Sequence, residues 1–253
     1  MLDIHAHVLP GLDHGCNNLD EALEGIKKAA DCGITKIFAT SHYFKGKVEN
    51  YAEDIYREVE SLNNVIDRLG IGVNVVSGCE IKVCPDIVEL LLAGKLSSLN
   101  NSRYVLIEFP MDIKVPNVCS VIRDILAAGF VPIIAHPERY TYVMRNIDEA
   151  ISYVESGALL QININSLIGD YGEDVKACSV KLLKHNLIHI WGTDHHSCRI
   201  GYDKDKLDKS FKVLEKIVGL YKFNIIKDFN PQCVYDDLDI EKFDIKYKVG
   251  LFS

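Results

Sequence analysis

Two periods of apolar and polar positions alternate along this chain, and the switch between them recurs. Residues 2–7, Leu-Asp-Ile-His-Ala-His, form a short run in which alternate side chains share a face, which predicts a strand. Leu19, Leu23, Ile26 and Ala30 then recur at helical spacing. With Asn18 as N-cap, Glu21 three residues on and Gly33 as a stop, they predict a helix over 19–32. The same alternation predicts strands over 35–41, 73–77, 104–107, 131–135, 159–163 and 187–191. Helices are expected over about 49–69, 86–93, 117–128, 147–156, 173–185 and 204–221, whereas residues 225–253 carry no clear period and read as a closing segment or tail.

Seven strands alternating with helices imply a parallel sheet, and closure into an α/β barrel is its natural arrangement. No composition break, linker, fixed-period repeat or low-complexity segment divides the 253 residues, so one domain is expected over 1–253, with 236–253 a poorly patterned tail. The 48% hydrophobic and 25% charged content suits a soluble protein with a sizeable core. A formal charge of −8 without a basic arm argues against nucleic acid as the main partner. No segment has the apolar length to enter a bilayer, and a start at Asp3, His5 and His7 leaves no room for a signal peptide, so a cytoplasmic protein is expected. The eight cysteines are scattered and form no Cys-x-x-Cys, which reads as reduced, mostly buried thiols. None has an arginine six residues downstream, so the Cys-x5-Arg loop of cysteine-dependent phosphatases is missing. Phosphate-ester cleavage by this chain would need metal.

The chemistry gathers at the C-terminal ends of the predicted strands, where barrel enzymes build their sites. Those ends carry His5 and His7, His42, Glu80, Glu108, His136, and Asp194 with His196. The Pro10-Gly11 turn can return Asp13 or His14 toward the first pair. A single His or Glu at a strand end is an ordinary cap or surface group, but six of seven strands ending this way point to a metal site. Imidazole and carboxylate without thiolate suit Mn, Fe or Zn better than Ca or Mg. Nine candidates are too many for one ion, so two or three are expected, with a carboxylate such as Glu80 as a bridge. Such a centre lowers the pKa of a bridging water to give hydroxide and neutralises oxygens of the group under attack. Arg139 and Arg199 each follow a candidate ligand by three residues, and a guanidinium fork at the rim points to a phosphoryl substrate. His185 and His189 read as structural, and His195, of opposite strand parity, as a neighbour of the ligands. Asn163, Asn165 and Ser166 either bond substrate or shape a turn.

These residues resemble the PHP (polymerase and histidinol phosphatase) superfamily, and more closely its bacterial manganese-dependent protein-tyrosine phosphatases of the capsule and exopolysaccharide (CpsB/YwqE-like) type. The resemblance is carried by Asp3-Ile-His-Ala-His7 with Leu9-Pro-Gly-Leu-Asp13, Ala39-Thr-Ser-His42, Gly78-Cys-Glu80, Glu108-Phe-Pro110 and His136-Pro-Glu-Arg-Tyr140. Ser166-Leu-Ile-Gly169, Thr193-Asp-His-His196, Arg199 and Asn230-Pro231 continue it, so that it covers about 1–235. His-Pro-Glu-Arg-Tyr is its most specific piece. It implies a distorted seven-stranded barrel with a trinuclear centre that dephosphorylates tyrosines, including those in the tails of bacterial autokinases controlling polysaccharide export. His14 stands where the family usually has Asp, His195 where it has Ala, and Asn163-Ile-Asn165 where it has Thr-x-Gly.

The expected reaction is in-line attack of a metal-bridging hydroxide on phosphorus. Arg139, Arg199, His42 and Asp194 act at the reacting group, and His5, His7, His14, His42, Glu80, Glu108, His136, Asp194 and His196 hold the ions. A small-molecule phosphatase such as histidinol phosphatase is the alternative within the superfamily. A silent phospho-binding module is the alternative outside catalysis.

Overall fold

In the computed structural model, which describes residues 1–196 and 201–247, the strand–helix alternation becomes a ring of parallel strands. Strand β1 (Leu2–Ala6) pairs with β2 (Lys36–Ala39), and β2 with β5 (Asn74–Ser77). A second sheet runs β10 (Ile190–Gly192), β9 (Leu159–Asn163), β8 (Val131–Ile134), β7 (Tyr104–Glu108), β6 (Glu80–Lys82), β3 (His42–Phe44) and β4 (Val48–Glu49). Among the described residues only the β3–β4 hairpin is antiparallel. The two sheets make one distorted barrel, because β3 continues β2 past Thr40-Ser41 and β6 continues β5 past Gly78-Cys79. The ring closes beyond β10, where Asp194 N donates to His5 O at 2.8 Å and His7 N to His195 O at 2.9 Å. Counting β2 with β3 and β5 with β6 as single staves gives the seven staves that the periodicity predicts.

The helices α1 (Leu19–Asp31), α2 (Ala52–Arg68), α3 (Ile87–Leu92), α4 (Val118–Ala127), α6 (Asp148–Glu155), α7 (Glu173–Lys184) and α8 (Lys204–Val218) fall close to their expected spans. Asn18 caps α1 as its spacing predicts, its side chain accepting from Glu21 N. The helix expected to 221 breaks at Gly219, whose φ of +80° no helix residue adopts, and resumes as α9 (Leu220–Asn224). Periodicity did not foresee the β3–β4 hairpin, the short α5 (Thr141–Arg145) or α10 (Asn230–Tyr235). Each is too short to show a period.

Alternation along the strands sorts two cores. Outward residues such as Val105, Ile107, Leu160 and Ile162 pack against the helices. Inward residues Leu2, Ile4, Tyr104, Leu106, Ile133 and Leu159 fill the barrel, and Val234 of α10 closes its lower end. The segment after α10 is tied down as well. Buried Asn230 bonds His189 O and both backbone groups of Glu241, and Lys246 N donates to His185 O. Up to residue 247 the unpatterned tail is thus a seal made by backbone and side-chain bonds, which hydrophobic spacing does not encode, and residues 248–253 lie outside the described residues.

Candidate metal centre

At the upper end of the barrel a cavity of about 270 Å³ opens, with His14, His42, Glu80, Glu108, His136, Arg139, Asp194 and His196 in its walls. Leu2 and Ile4 of β1 face the barrel interior, and a bulge between Asp3 and Ala6 then brings His5 and His7, of opposite parity, to the same end. Both imidazoles are fully buried. His5 Nδ1 bonds Gln161 Oε1 at 3.0 Å and His7 Nδ1 bonds Asp13 Oδ2 at 2.8 Å, so in the neutral rings Nδ1 carries the proton. The two Nε2 atoms then face each other as lone pairs 3.3 Å apart. Glu80 Oε2 lies 3.3 Å from each, and Asp194 Oδ1 3.5 Å from His5 and 3.4 Å from His7. Four lone pairs converging in a buried space require a cation or protons between them. The donor set therefore fits a metal.

Without metal, protons take that role. Burial lowers the pKa of His5, but Glu80 and Asp194 outweigh it and lift it to about 9. His7 is likewise pulled down by burial and raised well above the usual value by Asp13, Asp194 and Glu80. Burial dominates further out, holding His42 at about 3 and His196 at about 4. Burial and the Glu80 charge push Glu108 up to about 7.

Among the described residues three groups of side chains have ligand atoms within 4.8 Å of one another: His5, His7, Glu80 and Asp194; His7, His42 and His196; and His42, Glu80 and Glu108. Each pair of groups shares one residue, His7, Glu80 or His42, as in a polynuclear centre with bridging positions. His136 Nε2 lies 2.9 Å from Glu80 Oε1, and its Nδ1 is buried without a partner. His14 stands at the mouth, its ring stacked on His42 and His196 at 4.8 and 4.6 Å between centroids. His196 stacks on His7 at 4.1 Å, with Nε2 buried and unpartnered. Arg139 donates from Nη1 to Asp194 Oδ2 at 2.7 Å and lies over the Tyr171 ring. Arg199 lies outside the described residues. Seven of the nine predicted ligands thus fall in the three groups, and His14 and His136 border them.

The motif around His136 has a separate duty for each residue. His136 takes φ +32° to turn into the site, and Pro137 begins a single 3-10 turn. Glu138 turns inward and accepts from Asn163 N and Ser166 Oγ, while Arg139 turns outward to the cavity. The Tyr140 hydroxyl accepts the Phe109 N–H and anchors the end of β7 beside Glu108. Asp3, the first acid of the opening motif, clamps the barrel closure instead, accepting from Thr193 N and Tyr202 Oη.

Sequence reasoning did not single out Gln161, Tyr171, Lys82, Phe44 or Met111, although the last three line the cavity. Phe44 and Gln161 carried a signal, being two residues from His42 and Asn163 on their strands. The Asn163 side chain donates to Asp194 Oδ2 and accepts from Gln161 Nε2, and its residue opens the 3-10 turn Ile164–Ile168. His185 and His189 lie away from the cavity, bonded to backbone near the lower seal, and His195 stacks on Tyr202.

A family model described as capsular polysaccharide synthesis, CpsB/CapC, matches residues 1–236. Tyrosine-protein phosphatase YwqE of Bacillus subtilis is 35% identical over 200 residues, 79% of this chain and 78% of that protein. Tyrosine-protein phosphatase CpsB of Streptococcus pneumoniae is 26% identical over 242 residues, 94% of this chain and 99% of its own. A solved structure reported for YwqE and CpsB of these two bacteria, described as unique metal-dependent tyrosine phosphatases, superposes with a TM-score of 0.91. It is 31% identical, covering 97% of this chain and 98% of that one. A lactonase from Listeria monocytogenes, 12% identical with a TM-score of 0.53 over 95% of each chain, shares the fold alone. With the match spanning the barrel and every strand end that lines the cavity, the chain belongs to the CpsB/CapC family of capsular polysaccharide synthesis.

Proposed function

We propose that this cavity hydrolyses phosphotyrosine in protein, using two or three metal ions, Mn2+ foremost with Fe or Zn as alternatives. The ligands would be His5, His7, His42, Glu80, Glu108, His136, Asp194 and His196, with His14 beside the outermost position. The chain is a metal-dependent tyrosine-protein phosphatase, a phosphomonoesterase of its family. The observation that carries the site reading is the convergence of imidazole and carboxylate lone pairs, with the Arg139 guanidinium in the same cavity wall.

Metal ions held there supply Lewis acidity, making water nucleophilic at neutral pH and drawing charge from the phosphoryl oxygens. The chain's own groups position the ester. Arg139, fixed between Asp194 and the Tyr171 ring, presents a planar fork to two phosphoryl oxygens. Asp194 sets that fork against the ligand cluster, with Oδ2 on Arg139 and Oδ1 toward His5 and His7. His42 belongs to two of the three ligand groups and so links them. Arg199 is proposed as the second arm of the clamp. Phe44, Val48 and Met111 give the cavity an apolar side along which an aryl ring can lie. Tyrosinate leaves with a pKa of about 10 and needs little help from a proton donor.

The phosphoprotein is proposed to be the tail of a cytoplasmic bacterial tyrosine autokinase controlling capsule or exopolysaccharide synthesis, with residues 1–253 acting as one domain. Among the described residues no helix is long and apolar enough to cross a membrane. The test is phosphate release by metal-stripped, manganese-reconstituted protein on a phosphotyrosine peptide and on histidinol phosphate. Preference for the peptide is expected. Preference for histidinol phosphate would move the chain to small-molecule phosphatases, and release from neither would leave a phospho-binding module.

A further inference from the structure

Strand β9 is the stave whose end offers no predicted ligand, yet its inward face carries two buried amides, Gln161 and Asn163, above Leu159. Their partners fix which end of each amide is which. Gln161 Oε1 receives the backbone N–H of His136 at 3.2 Å, and because a backbone N–H can only donate, that end must be oxygen. His5 Nδ1, 3.0 Å from the same oxygen, must therefore carry a proton and donate it. Gln161 Nε2 donates to Asn163 Oδ1 at 3.0 Å, and Asn163 Nδ2 donates to Asp194 Oδ2 at 2.9 Å. The backbone of Asn163 is pinned in turn by Glu138 Oε1 at 2.9 Å.

We propose that Gln161 and Asn163 are positioning residues for the metal centre, a ladder of amides that sets the tautomer of His5 and holds Asp194 and His136 in register with it. The inference rests on the metal reading of His5 and Asp194. With Nδ1–H committed to Gln161, Nε2 of His5 has no proton in the neutral ring and presents its lone pair to the site. The ladder reaches three staves, and β9 lies between two of them, β8 and β10, in the sheet. Its outer partners are also strained. His136 and Asp194 take φ of +32° and +54°, a region that side-chain-bearing residues seldom adopt and that surrounding bonds must hold. An apolar pair would fill this face as Leu159 does one step below, without the desolvation that two buried amides incur.

The test uses the full chain, stripped of metal and titrated with Zn2+, which is diamagnetic. Zinc affinity is read by chelator competition and the His5 ring by long-range proton–nitrogen NMR. Wild type is expected to show a persistent Nδ1–H on His5. Gln161→Met should lose that signal and bind zinc about 10- to 100-fold more weakly. Gln161→Glu, which keeps an oxygen on His5 Nδ1 but loses the Nε2–H that meets Asn163 Oδ1, should restore the His5 signal and lose less zinc affinity than Gln161→Met. Asn163→Ala, which releases Asp194 and takes the acceptor from Gln161 Nε2 but leaves Gln161 Oε1 its His5 and His136 donors, should weaken zinc while the His5 signal persists. Unchanged affinity and spectrum in Gln161→Met would overturn the inference. So would a loss in Gln161→Glu as large as that in Gln161→Met, or a tenfold loss against wild type where the methionine variant does not fold. Wild type that binds no zinc would sink the metal reading itself, and this inference with it.

Discussion

Asp13 Oδ2 accepts from His7 Nδ1 at 2.8 Å and also from the backbone N–H of His42 at 2.9 Å. One carboxylate on the first loop therefore orients two residues of the same ligand group, and the acid stands behind the ligands. Replacing it by alanine leaves the His7 ring free to turn and to protonate at either nitrogen. Asp13→Ala is expected to stay folded, to bind manganese about 10- to 100-fold more weakly and to lose turnover in step. Metal titration followed by calorimetry reads this directly, and wild-type affinity in the variant would refute the role.

Much of this site was readable because side chains at strand ends converge whatever the loops do. Periodicity placed the strand ends, and the ends named His5, His7, His42, Glu80, Glu108, His136, Asp194 and His196. What escaped was held by contacts with no local signature. Tyr171 meets Arg139 from another loop, whereas Asp13 meets His7 as the Pro-Gly turn allows. Gln161 shares its strand face with Asn163, but only its distances to His5 and His136 give it a purpose. The split of the second and third staves into two segments each also left no mark, since a kink at Thr40-Ser41 or Gly78-Cys79 keeps the composition of a continuous strand.

The metal-free protein should carry its own pH signature. In it His5, lifted to about 9, and His7, raised well above its usual value, hold protons between carboxylates. A pKa above the unfolded value of about 6.5 gives stability that is full below pH 6.5 and lost as pH rises through 9. His42 and His196, held down at about 3 and 4, act in the opposite sense, destabilising the fold as pH falls below about 6.5. The melting temperature of chelator-treated protein should therefore peak near neutral pH and fall toward pH 9. Manganese should abolish the alkaline fall, and its binding should release protons and tighten with pH over that window. A chelator-treated protein whose stability is flat from pH 6.5 to 9.5 would contradict the proton-held cluster.

Gly192 gives a prediction about packing. A Cβ there would lie 2.6 Å from Cβ of His5, 3.1 Å from Gln161 Nε2 and 3.2 Å from His5 N, so β10 and β1 would have to part where the barrel closes. Gly192→Ala is expected to lose about 1–3 kcal/mol of stability in the metal-free state, measured by urea unfolding. It should also weaken metal binding, because the added methyl presses on the His5 ligand and its amide partner. A neutral effect on both would show that the closure tolerates a wider gap than its contacts indicate.

Phe44 stands two residues beyond His42 on β3 and opposite Val48 in the hairpin, so its ring flanks the ligand cluster on the cavity wall. Lys82 lies beside it, 5.1 Å from the ring centroid, with Nζ 3.3 Å from Glu108. A phosphotyrosine reaching the ligands would lay its ring against Phe44, whereas a short alkyl phosphate would not extend to it. Aromatic pairing of this kind contributes about 0.5–1.5 kcal/mol, so Phe44→Ala should lower kcat/KM for a phosphotyrosine peptide by about 2- to 12-fold. Activity on an alkyl phosphate should stay near wild type, and Phe44→Tyr should keep both. An equal fall on the two substrates would mean that Phe44 holds the hairpin in place and has no part in choosing the ester.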